Sequence, residues 1–563
     1  MLDALPPGLI LVLGAFALPL LPQTMRPALL LGLPLAAMAQ IWSFETGYIL
    51  NTAFLDYTLN PIKIDALGRL FATIFALMAF VGSIYAMNQK RIMELVAANV
   101  YAGSAIGVAL AGDLMSVFIF WEIMAIASTV VIWSANTDKA YAASMRYVLV
   151  HLFGGVVLMA GIVWHVTETG SLEFQAMAAD GPARWLILAG FLINAGAPPL
   201  SAWLPDAYPE ASFSGTVFLS AFTTKTAVYV LLRGFPGEEI LIVVGIYMIF
   251  YGIIYALLEN DIRRILAYSI VNQVGFMVTG IGIGTEMALN GAAAHAFTHI
   301  IYKALLLMSA GSVIYMTNKR KCTDLGGLFR TMPLTMVCGI IGALAISSFP
   351  LTSGFISKSM ISQAAADGNM MTVWMFLAAA SAGVFLHAGI KFPWFVFFQK
   401  DSGLRPTDPP GNMRIAMVLM ATLCIGLGVW PDPLYAILPY PVDYVPYTAD
   451  HVLKMVQLLL FSGLAFFLLL PMMKRTLTIT LDVDWFYRRV GVAMARALAR
   501  IISSAMKQIE ATVNTGLSSA LRLVFHFNGP NSALARTALV GSMVQWVIVL
   551  LGVYLALFLI SSD

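Results

Sequence analysis

Charge is scarce in this sequence. Of its 563 residues only 11% are Asp, Glu, Lys or Arg, while 60% are hydrophobic; a soluble protein carries about 25% charged residues. This composition excludes an ordinary soluble domain and predicts a chain that is embedded in a membrane. The formal net charge of +3 is too small to indicate a nucleic-acid partner.

Cysteine and catalytic motifs are also missing. The three cysteines, Cys322, Cys338 and Cys424, show no paired or metal-ligand spacing, which argues against disulfides and clusters. The sequence contains no Walker loop, HExxH motif or nucleophile elbow. We therefore expect no catalytic residue, no metal and no cofactor in this chain, and it stays open whether the chain belongs to a larger redox enzyme.

Long apolar runs are what the sequence does contain. A membrane-spanning helix needs about 20 mostly apolar residues, and on that measure the sequence predicts about sixteen spans. The first run, residues 9–21, lacks a basic leader and a small-residue cleavage site, so we interpret it as a span and not as a signal peptide. The predicted spans are 8–22, 26–42, 65–87, 93–112, 114–134, 141–166, 184–204, 212–233, 239–258, 262–283, 288–315, 332–366, 371–398, 414–431, 452–472 and 537–560.

Basic residues indicate which span ends face the cytoplasm, because Lys and Arg collect in cytoplasmic loops. They cluster after odd-numbered spans, at Lys90/Arg91, Lys139, Arg263/Arg264, Lys319/Arg320/Lys321, Lys400/Arg405 and Lys474/Arg475. Junctions after even-numbered spans hold single basic residues: Lys63, Arg184, Arg233 and Lys454. The pattern predicts that both termini lie on the outer face of the membrane.

Two spans carry helix breakers at related places. Span seven contains NAGAPPLSAWLP and span twelve contains SSFPLTSGFISK, and both read Pro-Leu-Ser/Thr at the break. Broken helices at corresponding places in two halves are typical of inverted-repeat transporters. We therefore predict two five-helix repeats. The predicted divisions are 1–92 (spans one to three), 93–233 (first repeat), 239–398 (second repeat), 399–472 (spans fourteen and fifteen), 484–530 (surface helix) and 537–560 (last span).

The segment 484–530 is periodic but is not a span. Apolar residues recur on one helical stripe: Val490, Met494, Leu498, Ile502, Met506, Ile509, Val513, Leu517 and Leu521. Charged residues lie mostly off this stripe. We expect an amphipathic helix along the membrane surface or against partner subunits.

Three ionisable residues lie within one apolar segment, AAAHAFTHIIYKALLLMSAG. His295, His299 and Lys303 are four residues apart, so they share one face of a helix. Charged groups at this depth cost about 2.5–3.5 kcal/mol each on insertion scales, so they are kept by pairing or by function. Helix packing explains one lone histidine, but three titratable groups in a row favour a path for protons.

Other polar residues lie in or near spans. Glu122, Lys225 and Lys358 are candidates for the same path. His387 and Lys391 are further candidates, although Lys391 lies near a span end where its side chain could reach the interface. His151 is a lone histidine for which packing and function are equally compatible.

These segments resemble a known family. From about residue 60 to about residue 400 the chain is similar to the antiporter-like subunits that respiratory complex I shares with Mrp-type cation/proton antiporters. The segments that carry the resemblance, in order, are PIKIDALGRLF, FWEIMAIAS, PLSAWLPDA, TKTAVYVL, DIRRILAYS, HAFTHIIYKALL and SGFISKSM.

The resemblance implies an all-α polytopic membrane protein with a central polar axis. Matched residue by residue, it places the proton path on Glu122, Lys225, His295, His299, Lys303 and Lys358. The family usually has a lysine five residues before the PL of PLSAWLP, and this sequence has Asn194 there. Glu122 therefore lacks its usual partner, and Lys225 or a residue of a neighbouring subunit is left as a substitute.

Three functions remain open at this point. The chain is predicted to be the proton-conducting subunit of an Mrp-type antiporter, a pumping subunit of a redox-driven complex, or a coupling subunit of an inorganic-carbon uptake complex. All three imply membrane partner subunits, and a bacterial cytoplasmic membrane is expected. Whether Na⁺ or K⁺ is exchanged for protons is not readable from the sequence.

Overall fold

The computed structural model describes residues 5–471, 482–530, 532 and 539–561 of the chain. The chain packs as two units, Met1–Asp484 and Trp485–Asp563. Among the described residues, twelve helices are long and apolar enough to cross a membrane, and three shorter apolar helices accompany them. The predicted spans 8–22, 184–204 and 332–366 fall on these shorter helices, and span 26–42 on a helix of 18 residues. The count of about sixteen stays a prediction.

The N-terminal part contains three helices and one hairpin. The helices are α1 (Pro7–Ala15), α2 (Arg26–Ser43) and α3 (Ala66–Tyr85), with a short 3₁₀ turn at Leu18–Leu20. Between α2 and α3 the chain forms an antiparallel pair, β1 (Ile49–Phe54) and β2 (Tyr57–Lys63). Long apolar runs do not predict this hairpin, because both strands are short and neither is an apolar run.

Two series of helices follow. The first is α4 (Ile92–Leu110), α5 (Leu114–Trp133), α6 (Asp138–Thr169), α7 (Pro182–Ala195), α8 (Trp203–Ala207), α9 (Gly215–Ala221) and α10 (Thr223–Gly234). The second is α11 (Ile240–Leu258), α12 (Ile262–Ile283), α13 (Glu286–Thr317), α14 (Pro333–Ile346), α15 (Ser353–Asp367) and α16 (Met371–Val384). Two π-helical turns, Phe385–Lys391 and Trp394–Phe398, continue α16.

Helix lengths and caps recur between the two series. The first four helices have 19, 20, 32 and 14 residues, and their counterparts α11 to α14 have 19, 22, 32 and 14. An aspartate side chain caps α5 and α12, and a threonine side chain caps α6 and α13. These caps are Asp113, Asp261, Thr137 and Thr285, and the two members of each pair are the same interval apart along the chain. This regularity supports the predicted repeat.

The chain leaves the helix at both predicted breaks. α7 ends before Gly196, whose φ of 79° favours glycine, and the helical path resumes only at α8. α14 ends at Ile346 and α15 begins at Ser353. A third interruption, at Phe222, separates α9 from α10. Broken helices leave backbone groups without partners inside the bundle, which suits a polar path.

Glycines bring the backbones of α11 and α12 into contact. A Cβ atom on Gly245 would lie 2.6 Å from the carbonyl oxygen of Gly275, and one on Gly275 would lie 2.6 Å from that of Gly245. Gly252 and Gly282 meet backbone atoms of the other helix at 2.6 Å in the same way. Small residues allow this close approach between helices in membranes.

The remaining helices of the first unit are α17 (Gly411–Val429), α18 (Asp432–Tyr435) and α19 (Ala449–Leu468). The second unit contains a π-helical turn (Phe486–Gly491), α20 (Val492–Asn528) and α21 (Val540–Ile560). α20 has 37 residues and covers most of the predicted surface helix 484–530. Lys474 and Arg475, residue 472 of span fifteen, residues 537–538 of the last span and residues 1–4 of the first division lie outside the described residues.

Candidate functional site

The centre of the site is one face of α13. His295, His299 and Lys303 are fully buried there, and Lys303 lies near the middle of this 32-residue helix. The rings of His295 and His299 are 6.2 Å apart between centroids. We call these three residues the α13 ladder.

His295 joins three helices. Its Nε2 lies 3.1 Å from Oε1 of Gln273 on α12, and its Nδ1 lies 3.2 Å from Oγ of Ser357 on α15. A side-chain amide oxygen only accepts, so Nε2 carries the proton and Nδ1 is left to accept from a hydroxyl. The hydroxyl of Tyr302 donates to the same Gln273 oxygen at 3.2 Å. The first rung of the ladder is therefore held in one tautomer by its neighbours.

His299 and Lys303 have a different environment. Within the described part of the chain, neither the two ring nitrogens of His299 nor Nζ of Lys303 has a hydrogen-bond partner. Buried polar groups are satisfied by protein or by ordered water, and each unsatisfied group costs about 1–3 kcal/mol. Two of the three ladder residues are therefore not fixed by a hydrogen bond to the described part of the protein.

Lys358 lies close to His295, the N-terminal residue of the ladder. Its Nζ is 4.3 Å from the ring centroid of Phe276 on α12, and His295 meets the edge of the same ring. Among the described residues Lys358 has no hydrogen-bond partner. It begins the second turn of α15, just after the break in this span, so its position depends on that break.

Lys225 is held by the interruption between α9 and α10. Its Nζ donates to the backbone oxygen of Ser220 at 2.7 Å and to Oγ1 of Thr224 at 3.1 Å. The Ser220 carbonyl lies at the end of α9, where helix carbonyls lack an intrahelical partner.

Glu122 is separate from these lysines. It is half-buried on α5 and packs against Gly155 of α6, where a Cβ atom would collide with its Oε1. No ion pair involves Glu122 within the described residues. Lys225 is not paired with Glu122 in this structure, because its Nζ is bound to Ser220 and Thr224. Asn194 is fully buried, and in the described chain neither polar atom of its amide has a partner.

His387 and Lys391 lie together in a π-helical turn. Nδ1 of His387 is 2.9 Å from the carbonyl oxygen of Gly383 in its own helix. Nζ of Lys391 donates to the backbone oxygens of Ala256, Leu257 and Glu259 at 3.0, 2.6 and 2.6 Å. Lys391 thereby caps the C-terminus of α11, where a cation is favourable. Its side chain is 2% exposed and is held inside the protein by these carbonyl oxygens; its place in the proton path stays a prediction.

Sequence reasoning missed Gln273, Ser357 and Tyr302. The signal for Gln273 is present, since Asn272 and Gln273 form a polar pair inside the apolar stretch SIVNQVGF. Ser357 and Tyr302 are common in spans and give no such signal. Among the described residues, no group of three or more His, Cys, Asp or Glu side chains is placed to hold a metal ion.

Residues 111–384 match the protein family described as NADH:quinone oxidoreductase/Mrp antiporter, transmembrane. An NADH-quinone oxidoreductase subunit of Desulforudis audaxviator is 30% identical over 358 residues, which cover 58% of this chain and 70% of that protein. The chain belongs to this NADH:quinone oxidoreductase/Mrp antiporter family. The matched region contains every residue of the predicted path, from Glu122 to Lys358.

Other members of the antiporter family show the same likeness. A Na⁺/H⁺ antiporter protein of Alkalihalophilus pseudofirmus is 29% identical over 350 residues, which cover 58% of this chain and 71% of that protein. A chain of the Mrp complex of a Dietzia species has a TM-score of 0.77 at 22% identity, covering 91% of this chain and 62% of that chain. The multi-pass helical membrane fold and the resemblance are confirmed. The span count, the divisions and the roles of individual residues stay predictions.

Proposed function

We propose that this protein is the proton-conducting subunit of a multisubunit Mrp-type monovalent cation/proton antiporter in a bacterial cytoplasmic membrane. The observation that supports this most is the α13 ladder: three buried titratable groups in a row, two of them without a hydrogen-bond partner in the described chain. Protons move along Glu122, Lys225, the ladder and Lys358. The basic loops face the cytoplasm and both termini face outward.

Repulsion between like charges couples the protonation of neighbouring groups on this path. Lys225, the three ladder residues and Lys358 are all buried, so charges on neighbouring groups are poorly screened. At an effective dielectric constant of about 20, two like charges at the 6.2 Å that separates the His295 and His299 rings repel by about 3 kcal/mol. A proton that arrives on one group therefore disfavours a charge on the next, so the protons advance in sequence.

A redox-driven complex is the second candidate. It is favoured by the 30% identity to an NADH-quinone oxidoreductase subunit. The same buried path would serve there, with the driving force supplied by partner subunits. The chain's own described side chains do not separate the two candidates, so the partners and the driving ion decide.

The complete complex, purified with its native partners and reconstituted in liposomes, tests the proposal. An antiporter will move protons when a Na⁺ or K⁺ gradient is imposed in the absence of any electron donor, and a fluorescent pH dye inside the liposomes reports this. Proton movement that requires a reduced donor and ignores both cations would favour the redox-driven alternative. Empty liposomes, which lack the complex, serve as the reference for leakage.

Glu122→Gln gives a milder defect than loss of a ladder lysine. A half-buried carboxyl with no ion pair in the described chain is expected to hold its proton, and glutamine copies the shape of that protonated acid. We expect the rate of cation-driven proton movement to fall by about tenfold, which corresponds to about 1.4 kcal/mol on the barrier. If Glu122→Gln is as damaging as Lys358→Ala, then Glu122 is ionised and paired with a cation from a partner subunit.

A further inference from the structure

The repeat assigns counterparts of the ladder to the first half. Helices α6 and α13 have equal length and equivalent threonine caps. Counted from these caps, the counterparts of His295, His299 and Lys303 are Tyr147, His151 and Gly155. α6 thus has a histidine, His151, where α13 has His299. It has a glycine, Gly155, where α13 has Lys303.

Glu122 fills the space beside Gly155, the position that corresponds to Lys303. Any side chain at Gly155 would collide with Oε1 of Glu122, and this oxygen is buried without a hydrogen bond in the described chain. The carboxyl of α5 therefore lies beside α6 at the rung where α13 carries Lys303.

His151 lies one turn from this carboxyl on the same face of α6, since residues four apart are about 6 Å apart on a helix. It is 1% exposed. Its Nδ1 lies 2.9 Å from the carbonyl oxygen of Tyr147, which only accepts, so Nδ1 carries the proton. Nε2 is then an acceptor, and among the described residues nothing bonds to it.

We propose that His151 is the proton-exchange partner of Glu122, in place of the lysine that is absent at Asn194. The inference rests on the proposed function. The Glu122 carboxyl loses its proton and Nε2 of His151 gains it, and the reverse step restores both. The imidazole leans toward Tyr147, with 3.9 Å between ring centroids, so the proton crosses through water or after rotation of the ring.

A chain of hydroxyls continues from His151 toward Lys225. Tyr147, on which His151 stacks, donates to Oγ of Ser128 at 3.0 Å, and its hydroxyl lies 3.3 Å from Oγ1 of Thr223. Thr223 begins α10, two residues before Lys225. Hydroxyls both donate and accept, so they can pass a proton on. These hydroxyls link Tyr147, on which His151 stacks, to the helix that carries Lys225.

Packing alone is the competing account, because His151 also meets Trp203 edge to face at 4.6 Å. The two accounts differ in whether His151 and Glu122 act in one step. The experiment compares four variants in the complete reconstituted complex: His151→Gln, His151→Asn, Glu122→Gln and the double variant Glu122→Gln/His151→Gln. His165→Gln is the matched control, since His165 is a second buried histidine of α6, far along the helix from Glu122.

We expect both His151 variants to slow proton movement to about the level of Glu122→Gln, by about tenfold, which corresponds to about 1.4 kcal/mol on the barrier. The double variant will be no slower than the slower single variant, and His165→Gln will keep the wild-type rate. Infrared spectroscopy gives a readout independent of transport: the carboxyl band that disappears in Glu122→Gln will shift in His151→Asn.

The opposite results overturn the inference. These are a wild-type rate in an assembled His151 variant, a double variant slowed by the product of the two single effects, or a carboxyl band that is absent or does not shift. Failure of the proposed function looks different, because Lys303→Ala would then move protons as the wild type does, whatever the His151 variants do.

Discussion

Lys303→Ala or Lys358→Ala will abolish cation-driven proton movement while the complex still assembles. Both ammonium groups are buried, and in the described chain neither forms a hydrogen bond. Removing a buried polar group that has no partner leaves no other group unsatisfied, so the fold is not expected to weaken. Transport should fall to the leak of empty liposomes, which a pH dye measures at equal amounts of assembled complex.

Lys303→Arg makes this test sharper. Arginine keeps the positive charge but does not release its proton in proteins. If Lys303 exchanges protons, the arginine variant will be as inactive as the alanine variant; if only the charge matters, it will be active. Lys454→Ala is the control, since Lys454 is an exposed lysine paired with Asp450 on α19. Normal transport in the assembled Lys303→Ala complex would remove the ladder from the path.

Ending the chain after residue 483 will release this protein from its complex without preventing its insertion in the membrane. The apolar stripe of α20 is exposed in the chain, with Met494 at 68% and Leu498 at 58%. Fully burying such a side chain is worth about 1.5–3 kcal/mol, so the stripe provides a large contribution to binding when partners cover it. Blue-native gels report the complex, and membrane fractionation reports insertion.

Point variants on α20 separate the stripe from the rest of the segment. Leu498→Ser with Met506→Ser changes the apolar stripe, whereas Ser503→Ala with Lys507→Ala changes neighbouring polar positions of the same helix. Only the first pair should weaken assembly. An intact complex after truncation would show that α20 and α21 do not brace the partners.

Local patterns in the sequence predicted those parts of the site that depend on a single helix. Three titratable residues spaced four apart lie on one face of α13, whatever that helix packs against. Proline and glycine in spans seven and twelve predict the breaks, because proline lacks the N–H that a helix requires. The stripe of segment 484–530 likewise follows from its period.

Contacts between distant segments could not be predicted in this way. Lys391 caps α11, more than a hundred residues away in the chain, and its own neighbourhood carries no sign of that partner. The approach of Glu122 to Gly155 depends on how α5 and α6 pack, which a composition of apolar residues does not specify. The sequence shows that residue 155 is a glycine, but only the packing of α5 on α6 shows which side chain fills the space beside it.

The glycine contacts between α11 and α12 have a mechanical consequence. Where two backbones touch, no flexible side chain lies between them to absorb a displacement, so the pair resists sliding and bending as one stiff wall. Gln273 and Phe276, which meet His295 and Lys358, belong to this wall. Alanine at Gly275 would force the two backbones apart, and we expect it to displace Gln273 and Phe276 from His295 and Lys358.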